Sequence, residues 1–77
     1  MTITPAQCLA GREALGWSAA GLASKARIHP RTVGNFESGL RTPYAETLAA
    51  IERAMRAAGV EFVAGDEGGT EIRLRRA

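Results

Sequence analysis

The stretch that decides the fold is Trp17–Gly39, which reads W-S-A-A-G-L-A-S-K-A-R-I-H-P-R-T-V-G-N-F-E-S-G. Ser18 and His29 are both expected to be helix N-caps. Ser18 has a hydroxyl of the kind that caps helices, and His29 is followed by a proline, which suits the first helical position. The spacing predicts one short helix from Ser18 to about Ala26 and another from His29 to about Ser38, with a tight break between them. The second helix presents several polar side chains on one side.

Prolines mark the expected helix starts along the whole chain. A proline suits the first helical position because its missing N–H would be unpaired there in any residue. Three cap-proline pairs occur in the sequence, namely Thr4-Pro5, His29-Pro30 and Thr42-Pro43. We therefore also expect a first helix over residues 4–15 and a fourth over residues 43–58. Each is closed by the glycine that follows it, Gly16 or Gly59.

The periodicity of the sequence changes after Gly59. Residues 60–62 and 71–75 alternate between apolar and polar types, and residues 64–69 have the glycine-rich composition of a turn. This pattern predicts a two-stranded hairpin with one apolar face, made by Val60, Phe62, Ile72 and Leu74. An isolated hairpin is marginal in water, so we expect this face to pack on the helices, to pair with a second chain, or both.

Composition limits the classes of function. The 77 residues allow one small domain, and the formal net charge of +2 with a pI near 9.3 permits nucleic acid as a partner without requiring it. Cys8 is the single cysteine and His29 the single histidine, so we expect no metal site. The sequence shows no nucleophile paired with a base and no phosphate-binding glycine loop. It therefore indicates a protein that is not an enzyme and has no cofactor and no small-molecule substrate.

The chain also lacks the marks of membrane or secreted proteins. No apolar run approaches the roughly 20 residues that a membrane span needs. The N-terminus has no basic region of the kind that begins a signal peptide. We expect a cytoplasmic protein with no membrane partner.

Several positions of the central stretch have the residue types of one known family. Ala23 holds the small position where the two helices cross, and the three apolar core positions are held by Ile28, Val33 and Phe36. Gly39 and residues 41–43, Arg-Thr-Pro, match the loop that follows the second helix. On these residues, the segment 4–58 resembles the XRE family, the helix-turn-helix proteins of the lambda-repressor/Cro type.

The resemblance implies a mainly α fold and a DNA-binding function. Residues 1–59 would form a lambda-repressor-like domain of four to five helices, and residues 60–77 a C-terminal β-hairpin. In relatives, an ion pair ties the first helix to the recognition helix, and its positions are held here by Arg12 and Glu37.

Three positions depart from the family pattern. Ala19 replaces a glutamine that supports a phosphate contact in relatives, and Pro30 replaces a second residue able to hydrogen-bond. Arg27 stands where the turn usually has glycine. If the turn keeps its left-handed conformation, a residue with a Cβ is strained there, so we expect the turn to differ slightly.

The exposed side of the second motif helix carries the candidate base contacts. Arg31 suits guanine and Asn35 suits adenine, because each side chain can make two hydrogen bonds to those bases in the major groove. Thr32, His29 and Pro30 are further candidates, through a hydroxyl, a ring nitrogen and a thymine-methyl contact. Alone, each is more simply a solvated surface residue or, for His29, an N-cap, and the motif is what favours DNA contact for Arg31 and Asn35.

Phosphate contacts need hydrogen-bond donors at positions that flank the recognition helix. A helix N-terminus supplies one such place, and the family loop supplies another. The candidates are Ser18, Ser38, Gly39, Arg41 and Thr42. Such contacts give affinity and register without sequence specificity.

Two classes of function fit the sequence. The first is a sequence-specific transcriptional regulator of bacterial or phage type, in the simplest case a repressor, that binds double-stranded DNA as a homodimer. The second is an antitoxin or protein-binding adaptor on the same scaffold, which the short tail after the fourth helix disfavours. The candidate dimer interface is the hairpin, through Phe62, Ile72 and Leu74.

Overall fold

The computed structural model describes residues 3–63 and 72–74 of the chain. It contains four helices followed by two antiparallel strands. The elements are α1 (Pro5–Ala14), α2 (Ala19–Ala26), α3 (Pro30–Glu37), α4 (Ala45–Ala57), β1 (Val60–Phe62) and β2 (Ile72–Leu74). The expected mainly α fold with a C-terminal hairpin is confirmed, while residues 64–71 and 75–77 of the predicted hairpin lie outside the described residues.

The first three helices begin at the caps that the sequence predicts. Thr4 forms a capping box, in which its side chain accepts from the Gln7 N–H and the Gln7 side chain accepts from the Thr4 N–H. Ser18 Oγ accepts from the Gly21 N–H at 2.9 Å, and His29 Nδ1 accepts from the N–H of Arg31 at 3.0 Å. Side chains with a free acceptor therefore fix these three starts.

The predicted start of α4 is wrong by two residues. The N-cap is Tyr44, which makes no side-chain capping hydrogen bond, and the helix begins at Ala45 rather than at Pro43. Tyr44 itself has extended dihedrals, φ −60° and ψ 155°, and Thr42 and Pro43 precede the helix without regular secondary structure. With its start at Ala45, α4 still packs its apolar side against the core. The burial of that side outweighs the missing capping hydrogen bond.

A core shared by all four helices and β1 holds the fold together. Its fully buried large side chains are Leu22, Val33, Ile51, Met55 and Val60, together with Cys8. Burying one such aliphatic side chain stabilises the fold by about 1.5–3 kcal/mol. Among the described residues, no helix is both long and apolar enough to cross a bilayer.

The hairpin packs against the helices through both strands, β1 against α4 and β2 against α1. Val60 pairs with Leu74 and Phe62 with Ile72, which puts all four on one face as predicted. Val60 and Phe62 are buried, Ile72 is half-buried, and Leu74 at the far edge is 38% exposed. The apolar face is thus covered by the chain's own helices at β1 and progressively less at β2.

Close approach of α1 to this region depends on Gly11. A Cβ built on Gly11 would lie 3.1 Å from Met55 Sδ and 3.4 Å from Val60 Cγ1. The absence of a side chain lets α1 pack directly on the end of α4 and the start of β1.

Candidate nucleic-acid interface

The helix α3 is divided into a buried and an exposed side. Val33 and Phe36 pack into the core, with 0% and 3% of their surface exposed. Arg31 is exposed, and Thr32 and Asn35 are half-buried on the other side of the helix. The core therefore fixes the rotation of α3 about its axis and turns these polar side chains outward.

The turn between α2 and α3 keeps the left-handed conformation despite its non-glycine residue. Arg27 has φ 60° and ψ 47°, and it is the one non-glycine residue with positive φ among those described. The Ile28 N–H donates to the Ala23 carbonyl at 2.9 Å, and Ala23 is fully buried at the crossing of the two helices. The expectation that the turn would differ is therefore wrong, since Arg27 itself adopts the left-handed conformation.

An ion pair links α1 to the C-terminal end of α3. Arg12 Nε donates to Glu37 Oε2 at 2.9 Å, and Arg12 Nη2 donates to Glu37 Oε1 at 2.7 Å. Arg12 Nη1 also donates to the Trp17 carbonyl at 3.0 Å, so one guanidinium joins α1, α3 and the segment before α2. The hydrogen bond to Glu37 raises the pKa of Arg12 against the opposing effect of desolvation.

Cys8 adds a third group to this cluster. Its thiol is fully buried, and Sγ donates to Glu37 Oε2 at 3.2 Å. Burial raises the pKa of the Cys8 thiol far above its usual range, and the hydrogen bond to Glu37 and the charge of that carboxylate act in the same direction. Cys8 is therefore a neutral thiol that supports the position of Glu37.

A groove lies between α3 and the segment that leads into α4. Its volume is about 480 Å³, and it is open to solvent. The lining residues are Ile28, Arg31, Thr32, Asn35, Arg41, Thr42, Pro43, Tyr44 and Thr47. We call it the reading groove, because it brings three candidate base contacts together with two candidate phosphate contacts.

The two walls of the reading groove are tied together through one carbonyl group. The Asn35 carbonyl accepts from the Leu40 N–H at 2.9 Å, from the Arg41 N–H at 3.2 Å and from Ser38 Oγ at 3.2 Å. The loop after α3 thus folds back onto the helix, and the backbone of Arg41 is held at a fixed place relative to Asn35.

Five other candidate contacts lie outside the lining of the reading groove. They are Ser18, His29, Pro30, Ser38 and Gly39. Ser18 Oγ is engaged in capping α2, and His29 Nδ1 in capping α3, which leaves Nε2 of His29 free for DNA. Ser38 Oγ donates to the Asn35 carbonyl, and the main-chain N–H groups of Ser38 and Gly39 donate to carbonyls of α3, so these groups are already engaged within the chain.

Sequence reasoning missed two residues that line the reading groove, Tyr44 and Thr47. Tyr44 is 84% exposed. The sequence carried no signal for either residue, since both were placed inside a helix that was expected to begin at Pro43. They line the groove because α4 begins only at Ala45, with Tyr44 as its N-cap and Thr47 in its first turn.

The candidate dimer residues differ in how much surface they offer. Phe62 is only 7% exposed and belongs to the core of its own chain. Ile72 is half-buried and Leu74 is 38% exposed, and β2 pairs with β1 alone among the described strands. Leu74 is therefore the candidate with the most surface left for a second chain.

Comparison with known proteins agrees with this architecture. Residues 10–61, more than half of the chain, match the family model described as helix-turn-helix. The matched range covers α2, α3 and α4 completely. No curated protein matches the chain.

Proposed function

Since the chain belongs to the XRE-type helix-turn-helix family of DNA-binding domains, we propose that it is a sequence-specific transcriptional regulator. The helix α3 reads the major groove of its operator, and in the simplest case the protein represses by blocking a promoter. The proposal assigns no catalytic step to any residue.

The observation that carries this proposal is the composition of the reading groove. Arg31, Thr32 and Asn35 on α3 face the same open space as Arg41 and Thr42 on the following loop. A DNA-binding surface needs this arrangement, in which side chains that suit base edges lie beside groups that suit phosphates. The Asn35 carbonyl keeps the two sets in register.

Arg31 and Asn35 carry the proposed sequence specificity. Arg31 would donate two hydrogen bonds to guanine O6 and N7, and the Asn35 amide would pair with adenine N6 and N7. The two residues are four apart, so they lie on one side of α3 and address neighbouring base pairs. Thr32, His29 and Pro30 are secondary contacts at the same end of the helix.

Selection of binding sites from random duplexes with the purified protein tests the proposal. We expect a short inverted repeat to be enriched. Arg31→Ala and Asn35→Ala should each relax one position of that repeat and weaken binding by about 1–3 kcal/mol. Enrichment of no sequence at low salt would contradict a regulator and would favour a protein-binding adaptor.

Arg41 has a different proposed role, a phosphate contact, which does not depend on the base sequence. Arg41→Ala should weaken specific and nonspecific duplexes alike and reduce the slope of log K against log salt by roughly one unit. Arg53→Ala is the matched control, because Arg53 is exposed on α4 away from the reading groove. An equal change of slope in both variants would show that Arg41 acts only through net charge.

We further propose that two copies pair through the outer edge of β2, in a homodimer whose half-sites lie about one DNA turn, roughly 34 Å, apart. Leu74→Lys should then shift the protein toward the monomer in sedimentation experiments. Leu9→Lys is the matched control, since Leu9 on α1 is 37% exposed against 38% for Leu74. Dimers that persist in Leu74→Lys, or that are lost equally in both variants, would contradict pairing at this edge.

A further inference from the structure

Tyr44 combines a fixed backbone with an open side chain at the rim of the reading groove. Its carbonyl accepts from the N–H of Thr47 at 2.9 Å and from that of Leu48 at 3.0 Å, which anchors it to the first turn of α4. Its phenol is 84% exposed and makes no capping hydrogen bond, although Tyr44 is the N-cap residue. The backbone of Tyr44 is thus fixed at the groove rim, and its side chain is open to solvent without a role in capping its own helix.

The reading groove has one wall suited to bases and one suited to the DNA backbone. The wall formed by α3 carries Arg31 and Asn35, and the facing wall carries Arg41, Thr42 and Tyr44. A helix that enters the major groove lies between two sugar-phosphate strands. The wall opposite its base contacts is therefore adjacent to one of those strands.

Charge and chemistry favour an anionic strand as the occupant. The lining of the groove includes two arginines and, among the described residues, no carboxylate. Glu46, in the first turn of α4, is not part of the lining. The phenolic O–H of tyrosine is a donor that serves in phosphate contacts.

We propose that Tyr44 is a DNA-contact residue whose hydroxyl donates to one phosphate of the strand bordering the major groove. This inference rests on the proposed function, since it requires α3 to lie in that groove. Each protomer would then hold one phosphate at the second wall of the reading groove. The Tyr44 hydroxyl would be a neutral donor beside the charged contact expected from Arg41.

Removal of the hydroxyl alone gives the sharpest test. Tyr44→Phe keeps the ring and should weaken binding to every duplex by about tenfold, the lower end for a hydrogen bond to a charged group. The slope of log K against log salt should stay unchanged, because the phenol carries no charge, whereas Arg41→Ala reduces it. Leu40→Ala is the control, since Leu40 is 73% exposed and does not line the groove.

A scan of the DNA backbone then locates the contact. The duplex selected by the wild-type protein is prepared with one neutral methylphosphonate at a time, and affinities are measured for wild type and Tyr44→Phe. Since the proposed homodimer places one Tyr44 on each half-site, we expect one phosphate per half-site at which the substitution weakens the wild type and has little further effect on Tyr44→Phe. Such non-additivity identifies two groups that contact each other. Thermal unfolding of the free variants, expected to match wild type, separates this effect from a loss of fold.

The outcomes distinguish this inference from the proposed function. If the wild type selects no sequence, the proposed function fails and this inference fails with it. If the wild type and Asn35→Ala behave as proposed but Tyr44→Phe binds as tightly as wild type, only the role of Tyr44 is overturned. It is also overturned if Tyr44→Phe is weakened while its sensitivity stays unchanged at every phosphate.

Discussion

The guanidinium of Arg12 and the carboxylate of Glu37 join α1 to the end of α3 through two hydrogen bonds, of 2.9 and 2.7 Å. Their side chains are only 16% and 9% exposed. A charge that loses its partner at such a site is left poorly solvated. The pair therefore fixes the recognition helix in place, and either residue is hard to replace alone.

Replacing either Arg12 or Glu37 alone should strongly destabilise the fold. We expect Arg12→Met or Glu37→Leu to reduce the free energy of unfolding by about 2–4 kcal/mol, and the double variant to lose less than the sum. Urea denaturation measures all three. Glu52→Gln, which breaks the more exposed pair of Glu52 with Arg56, is the control and should change stability by less than about 0.5 kcal/mol. Additive losses in the double variant would show that the two residues act independently.

Two helical glycines should respond in opposite directions to alanine. In Gly34→Ala the new Cβ meets nothing within 4 Å, so the gain in helix propensity should stabilise the fold by about 0.5–1 kcal/mol. In Gly11→Ala the Cβ meets Met55 Sδ at 3.1 Å in a fully buried setting, so overpacking should cost about 1–2 kcal/mol. Thermal unfolding of both variants tests the packing of α1, and stabilisation by Gly11→Ala would contradict it.

The left-handed conformation of Arg27 stores strain that glycine would release. Arg27→Gly should raise the free energy of unfolding by about 0.5–1 kcal/mol, which corresponds to a few degrees in Tm. Ser24→Gly, one turn earlier in α2, should instead lower it by about 0.5 kcal/mol, because there glycine only weakens the helix. A loss of stability in Arg27→Gly would mean that its side chain contributes more than its backbone costs.

The buried thiol of Cys8 should make stability depend on alkaline pH. Burial raises the pKa of Cys8 in the folded state, so its contribution is complete below the pKa of an unfolded thiol, about 8.5, and falls as pH rises above it. We expect the difference in unfolding free energy between wild type and Cys8→Ala to be constant from pH 6 to 8. It should shrink by about 1–2 kcal/mol by pH 10. A difference that stays constant to pH 10 would contradict a buried neutral thiol.

Local hydrogen-bonding signals explain why much of the fold is predictable. Thr4, Ser18 and His29 each carry an acceptor that caps the helix they precede, and such signals depend on only a few neighbouring residues. At α4 the local signal is misleading, since the Thr42-Pro43 pair predicts a start at Pro43 while the N-cap is Tyr44, which makes no side-chain capping bond. That start is set by how the apolar stripe of α4 meets the core, which is a property of the assembled molecule.

The candidate site, too, is only partly predictable from local sequence signals. Arg31 and Asn35 were identified because residues four apart share one side of a helix, and this holds whatever the tertiary structure. Tyr44 is missed because the Thr42-Pro43 pair predicts that it lies inside α4, whereas it is the N-cap in front of that helix. The turn at Arg27 is expected to differ from the family pattern, but the residue adopts the left-handed conformation instead, and the sequence does not say which of the two changes.

The shortness of α3 has a consequence for how the protein would behave in a cell. With eight residues it is below the length of about 12–15 at which isolated helices become even marginally stable, so it keeps its shape through its tertiary contacts, chiefly the burial of Val33 and Phe36. The core therefore unfolds and the reading groove is lost in a single cooperative event. Substitutions in the interior, far from any DNA contact, should accordingly yield temperature-sensitive regulators that bind normally in the cold and release their operator on mild warming.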